Sequence, residues 1–190
     1  MASRVKKVTS ISVGHFYERH REALKLRLVG DSEEGFERTI REPAPNRPGL
    51  ALSGFFTYFA NKRIQVIGNS EASYLKKLSP ELRSERFRQL CEKGVPCMVC
   101  SRDHELPGEL LEIASDYKLT IFRSPMVTMQ FLNLASILLE QEFSESISLH
   151  GCMVDYRGVG ILIIGSSGSG KSETAIGLLE RGGALVADDV

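Results

Sequence analysis

The segment that most constrains the fold of this chain is residues 160–174, which read GILIIGSSGSGKSET. The pattern G-x-x-x-x-G-K-[ST] runs from Gly165 to Ser172, and its glycines let successive backbone N–H groups turn towards phosphate oxygens. Such a pattern is informative only between a strand and a helix. The apolar run at 161–164 predicts the strand, and ETAIGLLE at 173–180 predicts the helix. The segment therefore predicts a strand, a loop and a helix that bind the phosphates of a nucleotide.

Each part of this loop has a predicted task. The helix that follows adds unsatisfied N–H groups and the positive end of its dipole. Lys171 offers a compact positive charge to the β- and γ-phosphates, and the Ser172 hydroxyl suits a magnesium ligand. The predicted phosphate-binding residues are Gly165, Ser166, Ser167, Gly168, Ser169, Gly170, Lys171 and Ser172.

Two further features flank the loop. Asp188 and Asp189 follow the apolar run ALVA, where phosphate-loop enzymes place a carboxylate that holds magnesium or positions the attacking nucleophile. These residues could equally be two solvated acids in a turn. His150 precedes the strands that lead into the loop, so it could contact a γ-phosphate or an incoming phosphate, or it could be structural. The residues alone leave both alternatives open.

Composition excludes several classes of function. Lys and Arg together number 24 and Asp and Glu together number 24, so net charge indicates neither a nucleic-acid nor a membrane-surface partner. The longest apolar runs are far too short to span a bilayer. The N-terminus lacks the apolar stretch and the cleavage site of a signal peptide. We therefore expect a cytoplasmic protein with no membrane and no nucleic-acid partner.

The cysteines suggest a metal or redox site at first sight, because Cys97 and Cys100 form a C-x-x-C pair. However, the second ligand pair of a structural zinc site is missing. Residues 95–100 also alternate like a buried strand, whereas a redox motif begins a helix. Together with Cys91 and Cys152, these residues are interpreted as buried reduced thiols.

Strands and helices alternate in residues 1–125, which predicts a small α/β domain with a mainly parallel sheet. The predicted strands are VTSISV, RIQVIG, VPCMVC and LTIFRS, with at most a short strand at 36–40. The predicted helices are FYERHREALKLRLV, SEASYLKKL capped by Ser70, SPELRSERFRQLCEKG with Ser79 as cap, Pro80 first and Gly94 as stop, and PGELLEIASDYK.

The second half of the chain changes character after a long amphipathic helix, residues 126–143, which follows Ser124-Pro125 and is interpreted as a connector. SISLHGCMVDY and VGILIIG then predict a hairpin that turns at Arg157-Gly158. The predicted organisation is an N-terminal α/β domain (1–125), a linker helix (126–145) and the start of a nucleotide-binding domain (146–190), whose helix covers 171–181.

Residues 148–190 closely resemble the start of the catalytic domain of the bifunctional HPr kinase/phosphorylase family. Their order, HG…GVG…G-x-x-G-x-G-K-S-E-T-A…ADD, is much more discriminating than the loop alone. NRPGLALSGFFTYFANKRIQVIGNSEASYL is similar to the N-terminal domain of that family, and RSPMVTMQFLNLASILLE is similar to its connecting helix. The resemblance covers nearly the whole chain.

The resemblance implies a bacterial cytoplasmic enzyme whose third segment is the beginning of a P-loop kinase domain. With ATP or pyrophosphate and Mg²⁺, the family phosphorylates a serine of HPr, the phosphocarrier of the sugar phosphotransferase system. It reverses this modification by phosphorolysis, in which inorganic phosphate attacks phosphoserine and pyrophosphate is released, and it thereby controls sugar uptake and carbon metabolism. The complete protein is expected to be a homo-oligomer, a hexamer.

The resemblance also implies roles by position. Residues 165–172 bind ATP or pyrophosphate, Ser172 ligates magnesium, and Lys171 stabilises charge on the transferred phosphoryl group. Asp189 matches the acid/base that accepts the serine proton in the kinase direction and returns it in phosphorolysis. His150 precedes Lys171 by the spacing of the family and is expected to be catalytic.

Departures from the family pattern limit this interpretation. Ser166 stands where an acidic residue is common. A further magnesium-binding glutamate, a signature stretch, a catalytic arginine and the C-terminal helices of the family would follow Val190, so we expect the 190 residues alone to show little or no kinase activity. The alternative is a non-catalytic regulatory or binding module with a partial phosphate site. A kinase of the phosphoenolpyruvate-carboxykinase-like type is disfavoured by the N-terminal resemblance.

Overall fold

The computed structural model describes residues 8–30, 33–145 and 149–188. They belong to two compact units, one formed by Lys7–Ser144 and one that contains Glu145–Val190. The strands are β1 (Ile11–Ser12), β2 (Arg27–Leu28), β3 (Thr39–Ile40), β4 (Gln65–Ile67), β5 (Cys97–Cys100), β6 (Thr120–Arg123), β7 (Cys152–Tyr156), β8 (Val159–Ile163) and β9 (Ala184–Ala187). The helices are α1 (Val13–His20), α2 (Gly49–Leu52), α3 (Asn69–Lys77), α4 (Pro80–Glu92), α5 (Gly108–Asp116), α6 (Thr128–Phe143) and α7 (Lys171–Leu179).

The first unit is built around a four-stranded sheet with the order β2-β6-β5-β4. β4, β5 and β6 are parallel, and the short β2 joins the edge in the antiparallel direction. Helices connect the parallel strands, as parallel pairing requires a crossover. The predicted α/β class and the mainly parallel sheet are confirmed.

Both faces of this sheet are covered, because alternate side chains of each strand enter opposite cores. In β5, Met98 and Cys100 belong to the core that includes residues of α2, α3, α4 and α5. Cys97 and Val99 belong to the core that includes Phe16 of α1 and residues of α6. The burial predicted for the cysteines is therefore confirmed for all four.

The start and end signals of α4 act as predicted. The Ser79 hydroxyl accepts a hydrogen bond from the Leu82 N–H at 3.3 Å, and Pro80 is the first helical residue. Gly94 has a φ of +70°, the left-handed conformation that ends many helices. These signals could be predicted from the sequence because each residue acts on the backbone of its own turn of the helix.

The helix predicted over residues 16–29 is wrong in its second half. α1 ends at His20, the chain turns, and residues 27–28 form β2 against β6. Leu24 and Leu26 are both buried, and Lys25 between them has a φ of +50°. The apolar spacing fits a helix, but pairing with the sheet edge stabilises the extended form.

Three smaller predictions also need correction. α3 begins at Asn69 rather than after a Ser70 cap, because Glu71 Oε2 accepts the Gly68 N–H at 3.0 Å. The short strand allowed within 36–40 is present but is confined to the two residues of β3, and a 3₁₀ turn at Glu34–Glu37 precedes it. α6 begins at Thr128, two residues after the predicted Met126.

α6, which we interpreted as a connector, is packed within the first unit. Phe131, Ala135 and Leu139 are fully buried in one of its two cores. Near its C-terminal end, Glu142 contacts His15, Arg19 and His20 of α1. Full burial of these apolar side chains makes α6 part of the core of this unit.

The second unit is a three-stranded antiparallel sheet, order β8-β7-β9, with α7 packed against it. Cys152, Val154 and Ala175 form its buried centre. The hairpin predicted at Arg157-Gly158 is confirmed: the two residues have φ angles of 54° and 80°, as a two-residue type I′ turn requires. α7 ends at Leu179, two residues earlier than predicted.

Candidate functional site

Residues 164–170 connect β8 to α7 and form the predicted phosphate loop. Gly168 and Gly170 have φ angles of +77° and +84°, which side-chain-bearing residues rarely adopt. The Ser169 N–H donates to the Ser166 carbonyl at 3.2 Å and closes a turn within the loop. Gly170 of the motif and Gly168, at one of its variable positions, therefore stand where the backbone is left-handed.

The Lys171 side chain lies back over this loop. Its Nζ donates to the Gly165 carbonyl at 3.1 Å and to the Ser166 carbonyl at 3.3 Å. The ammonium group is therefore beside the backbone whose N–H groups the motif turns towards phosphate. A phosphate held by this loop would meet the positive charge with little movement of Lys171.

α7 begins directly at Lys171, and the first-turn N–H groups of a helix have no acceptor inside that helix. Gly170 is the N-terminal cap and has no side chain to satisfy them. The Gly170 carbonyl accepts both the N–H and the hydroxyl of Thr174, at 3.0 and 2.8 Å. Ser172 lies exposed in the same first turn. These donors and the helix dipole favour an anion at this end of α7.

The close packing around Gly165 supports the same interpretation. A Cβ at this position would lie 2.5 Å from Ser169 Oγ and 3.6 Å from Lys171 Cγ. A side chain at this position would press on the Ser169 hydroxyl, whereas its distance from Lys171 Cγ is an ordinary van der Waals contact. The loop residues thus fit a phosphate chain, and Ser172 could contribute one oxygen to a magnesium ion that the phosphates also hold.

His150 and the loop lie at the same end of the hairpin. β7 and β8 pair so that Cys152 faces Ile163, and His150 stands exposed two residues before Cys152. Between them, a Cβ on Gly151 would lie 2.5 Å from the Ile163 carbonyl oxygen. Gly151 therefore allows the start of β7 to pass tightly against the end of β8, where the chain enters the loop.

The end of β9 reaches the same edge. β7 is antiparallel to both neighbours, and Met153 pairs with Ala187, the last residue of β9. The Cys152 thiol donates a hydrogen bond to Asp188 Oδ1 at 2.8 Å. His150, the phosphate loop and Asp188 thus lie around one edge of a single small sheet. Asp189, the predicted acid/base, lies outside the described residues.

The Cys152 contact was missed by the sequence analysis, which interpreted this residue only as a buried thiol. Cys152 is buried on the side of the sheet that packs against α7, in one cluster with Val154 of β7 and Ala175 of α7. Its thiol fixes the carboxylate that precedes Asp189. A polarisable residue directly after an HG pair, at the start of a strand, is too weak a signal to predict this contact.

The C-x-x-C pair has no features of a reactive site. Burial raises the pKa of Cys100 to about 12 and raises the pKa of Cys97 further, so both thiols are protonated at neutral pH. Within residues 8–30, 33–145 and 149–188, the structure contains no group of three or more His, Cys, Asp or Glu side chains arranged to hold a metal ion. Among these residues there is also no helix with the length and apolar character needed to cross a membrane.

Comparison with known proteins matches both halves of the chain to one family. Residues 11–139 match the model of the HPr serine kinase N terminus, and residues 141–190 match that of the HPr serine kinase C-terminal domain. The two models therefore follow one another along the chain in their N- to C-terminal order.

Individual relatives agree with the family models. An HPr kinase/phosphorylase of Bacillus licheniformis is 41% identical over 165 residues, which is 87% of this chain and 53% of that protein. An HPr kinase/phosphorylase of Listeria monocytogenes serotype 4a is 43% identical over 169 residues, which is 89% of this chain and 54% of that protein. The chain thus spans about half the length of these relatives. A solved structure of the CBS and DRTGG domains of a Clostridium perfringens pyrophosphatase covers 63% of the chain at a TM-score of 0.45 and 13% identity, too weak a likeness to bear on function.

The first family model alone covers more than half of the chain, and its residues 11–139 include the whole parallel sheet of the first unit. The second includes the hairpin, the phosphate loop and α7. The chain belongs to the HPr serine kinase family.

Proposed function

We propose that the protein containing this chain transfers the γ-phosphoryl group of ATP to a serine of HPr and removes it again by phosphorolysis. The observation that carries this proposal is the convergence of His150, the phosphate loop and Asp188 at one sheet edge. A phosphate-binding loop alone would support any nucleotide-dependent function. A carboxylate at that edge can accept the proton of an attacking hydroxyl, and a histidine there can bind and orient an incoming phosphate.

In the kinase direction, the serine oxygen of HPr attacks the γ-phosphorus, the bond to the β-phosphate oxygen breaks, and ADP leaves. Asp189 takes the serine proton as the new P–O bond forms. Lys171, whose ammonium lies beside the loop carbonyls, moves onto the transferring oxygens and stabilises their charge. ATP and pyrophosphate would bind through residues 165–172, with Ser172 on the magnesium ion. Magnesium supplies charge neutralisation between the phosphates.

In the reverse direction, an oxygen of inorganic phosphate attacks the phosphorus of phosphoserine. The serine oxygen leaves with a proton returned by Asp189, and pyrophosphate is the second product. His150 stands at the edge from which inorganic phosphate would approach, and we assign it the binding and orientation of that phosphate. Cys152 positions this machinery indirectly, because its thiol fixes the carboxylate of Asp188, the residue before Asp189.

The wider part of the proposal concerns partners. We propose HPr of the sugar phosphotransferase system as the protein substrate, a cytoplasmic location and a hexameric assembly that controls carbon metabolism. Several large apolar side chains of the second unit are exposed, which supports its association with further protein. They are Val159, Leu162, Ile164, Ile176, Leu185 and Val186, each 40–64% exposed.

The proposal is tested with the purified protein that contains this chain, HPr, ATP and Mg²⁺. Mass spectrometry should detect HPr with one phosphoserine, and added inorganic phosphate should remove it with the release of pyrophosphate. HPr whose acceptor serine is replaced by alanine is the matched control and should gain no phosphate. If ATP binds while HPr stays unmodified, the kinase assignment is wrong.

A further inference from the structure

A cavity of about 230 Å³ lies in the first unit, far along the chain from the phosphate loop. Cys100 and Arg123, the last residues of the parallel strands β5 and β6, line it together with His104 and Glu105 from the loop after β5. In open α/β sheets, ligands bind at the carboxyl ends of the parallel strands. The cavity therefore occupies the part of this fold best suited to a ligand.

Arg123 gives the cavity its polar character. Its Nη1 donates to Glu105 Oε1 at 2.8 Å and its Nη2 donates to the Asp103 carbonyl at 3.0 Å. Its Nε is buried and has no hydrogen-bond partner among the residues that the structure describes. The Glu105 side chain is 77% exposed, and an ion pair with so exposed a partner stabilises little. An incoming anion can therefore replace Glu105 on this guanidinium.

Positive charge exceeds negative charge around this edge. Two carboxylates face Arg123: Asp103, which is paired with Arg27 and whose Oδ1 lies 4.0 Å from Arg123 Nε, and Glu105, which accepts a hydrogen bond from Arg123 Nη1. The pKa of His104 is lowered first by burial and then by the positive charges of Lys76 and Arg102. The Nε2 of His104 donates to Asn69 Oδ1 at 2.8 Å, so neutral His104 presents Nδ1 as an acceptor and adds no charge at the cavity.

The turn after β5 is held in an unusual conformation. Arg102 and Asp103 are consecutive residues with φ angles of 55° and 54°, which L-residues other than glycine rarely adopt. Their N–H groups donate to the Met126 and Ser124 carbonyls, both at 2.9 Å, and these bonds fix the turn. Backbone strain of this kind clusters at functional sites. The turn brings the next two residues, His104 and Glu105, to the cavity.

The remaining wall is apolar. Val29, Leu106, Leu111 and Ile121 line the cavity opposite its charged residues. We propose that this cavity binds a small organic anion, with its carboxylate or phosphate on Arg123 and a short apolar body against Val29, Leu111 and Ile121. The site lies in a different unit from the phosphate loop and goes beyond the proposed function.

The test uses the isotopically labelled full chain titrated with hexanoate, followed by amide and methyl NMR shifts. Saturable shifts should centre on the lining residues, and hexanamide, the neutral analogue, should bind about tenfold more weakly because it lacks the charge-assisted hydrogen bond. Phenyl phosphate in a Lys171→Ala background, which removes phosphate-loop binding, distinguishes a phosphate from a carboxylate ligand. The absence of saturable shifts at the cavity with both anions overturns the proposal, as does equal binding of the amide.

Variants locate the site. Arg123→Gln should weaken hexanoate about tenfold or more, whereas Glu105→Gln should strengthen it because the competing carboxylate is removed. Leu111→Phe fills the cavity from another element and should also abolish binding, which keeps the test valid if Arg123→Gln does not fold. Arg88→Gln, an exposed arginine on α4, is the control and should bind hexanoate like the wild type. Unchanged binding in folded Leu111→Phe, or equal weakening in Arg88→Gln, contradicts the assignment.

Discussion

Gly151 provides the sharpest test of how the site is assembled, because it is the point where β7 passes the end of β8. A Cβ added there would lie 2.5 Å from the Ile163 carbonyl oxygen, whereas real Cβ contacts essentially never fall below 3.0 Å. Gly151→Ala must therefore move the backbone by at least about 0.5 Å, the difference between these two distances. The carbonyl belongs to a paired strand and cannot rotate away. Overpacking of this kind costs about 1–3 kcal/mol.

The shift falls between His150 and the entrance of the loop, so it should reduce catalysis as well as stability. A displacement of about 1 Å at a reacting group can reduce the rate about 100-fold, and half of it should reduce kcat/KM for HPr about tenfold. Gly158→Ala is the matched control: its φ is +80°, and nothing lies within 4 Å of the added Cβ. It should lower stability by about 1–2 kcal/mol through conformation alone and leave kcat/KM unchanged.

Both variants are made in the protein that contains this chain. Their thermal unfolding is measured first, and HPr phosphorylation is then compared at one temperature at which both are folded. If Gly151→Ala keeps the wild-type kcat/KM, the tight passage at residue 151 does not set the position of His150. If Gly158→Ala loses as much activity as Gly151→Ala, the loss does not come from the close contact at residue 151.

Three further predictions concern the first unit. Phe122→Ala should lower the free energy of unfolding by about 3–5 kcal/mol in denaturant titrations, because the ring is fully buried between sheet and helices; a loss below about 1 kcal/mol would contradict this packing. Ser79→Ala removes a helix cap and should lower the free energy of unfolding by about 1 kcal/mol, whereas Ser70→Ala should leave it almost unchanged. The reverse order would contradict the observed start of α3. Burial lowers the pKa of His20 below its ordinary 6.5 despite the nearby Glu142, so folding disfavours its protonation. The melting temperature should therefore fall as pH drops through 6.5 and below. His20→Gln should reduce this dependence of the melting temperature on pH, and an unchanged dependence would contradict the role of His20.

Most of the parallel sheet could be predicted because its strands are continuous apolar runs bounded by capping residues. β5 and β6, with α4 and α5 beside them, follow from patterns that act locally, such as Ser79 and Gly94 around α4. β2 could not be predicted in this way. Its two residues are extended only because β6 offers a free edge, and pairing over almost a hundred positions of sequence leaves no local signal.

The candidate site divides in the same way. The backbone of the loop was predictable in part, because Gly170, which the motif specifies, has a left-handed conformation; Gly168 has the same conformation at a position that the motif leaves open. The proximity of His150 and Asp188 depends on β7 being antiparallel to both neighbours, which the sequence indicated for β8 alone. The contact of Cys152 with Asp188 depends on that topology too, so it emerged only from the fold.

The central claim is that the loop at residues 165–172 holds the phosphates in both directions of one reaction at HPr. The most direct measurement compares Lys171→Ala with the wild type in HPr phosphorylation by ATP and in pyrophosphate release from phosphoserine-HPr, with folding checked by thermal unfolding. Because the Lys171 ammonium lies against the loop backbone, we expect both activities to fall at least about 100-fold while the melting temperature changes little. A folded Lys171→Ala protein that retains phosphorolysis would contradict the account, since pyrophosphate would then form without this loop.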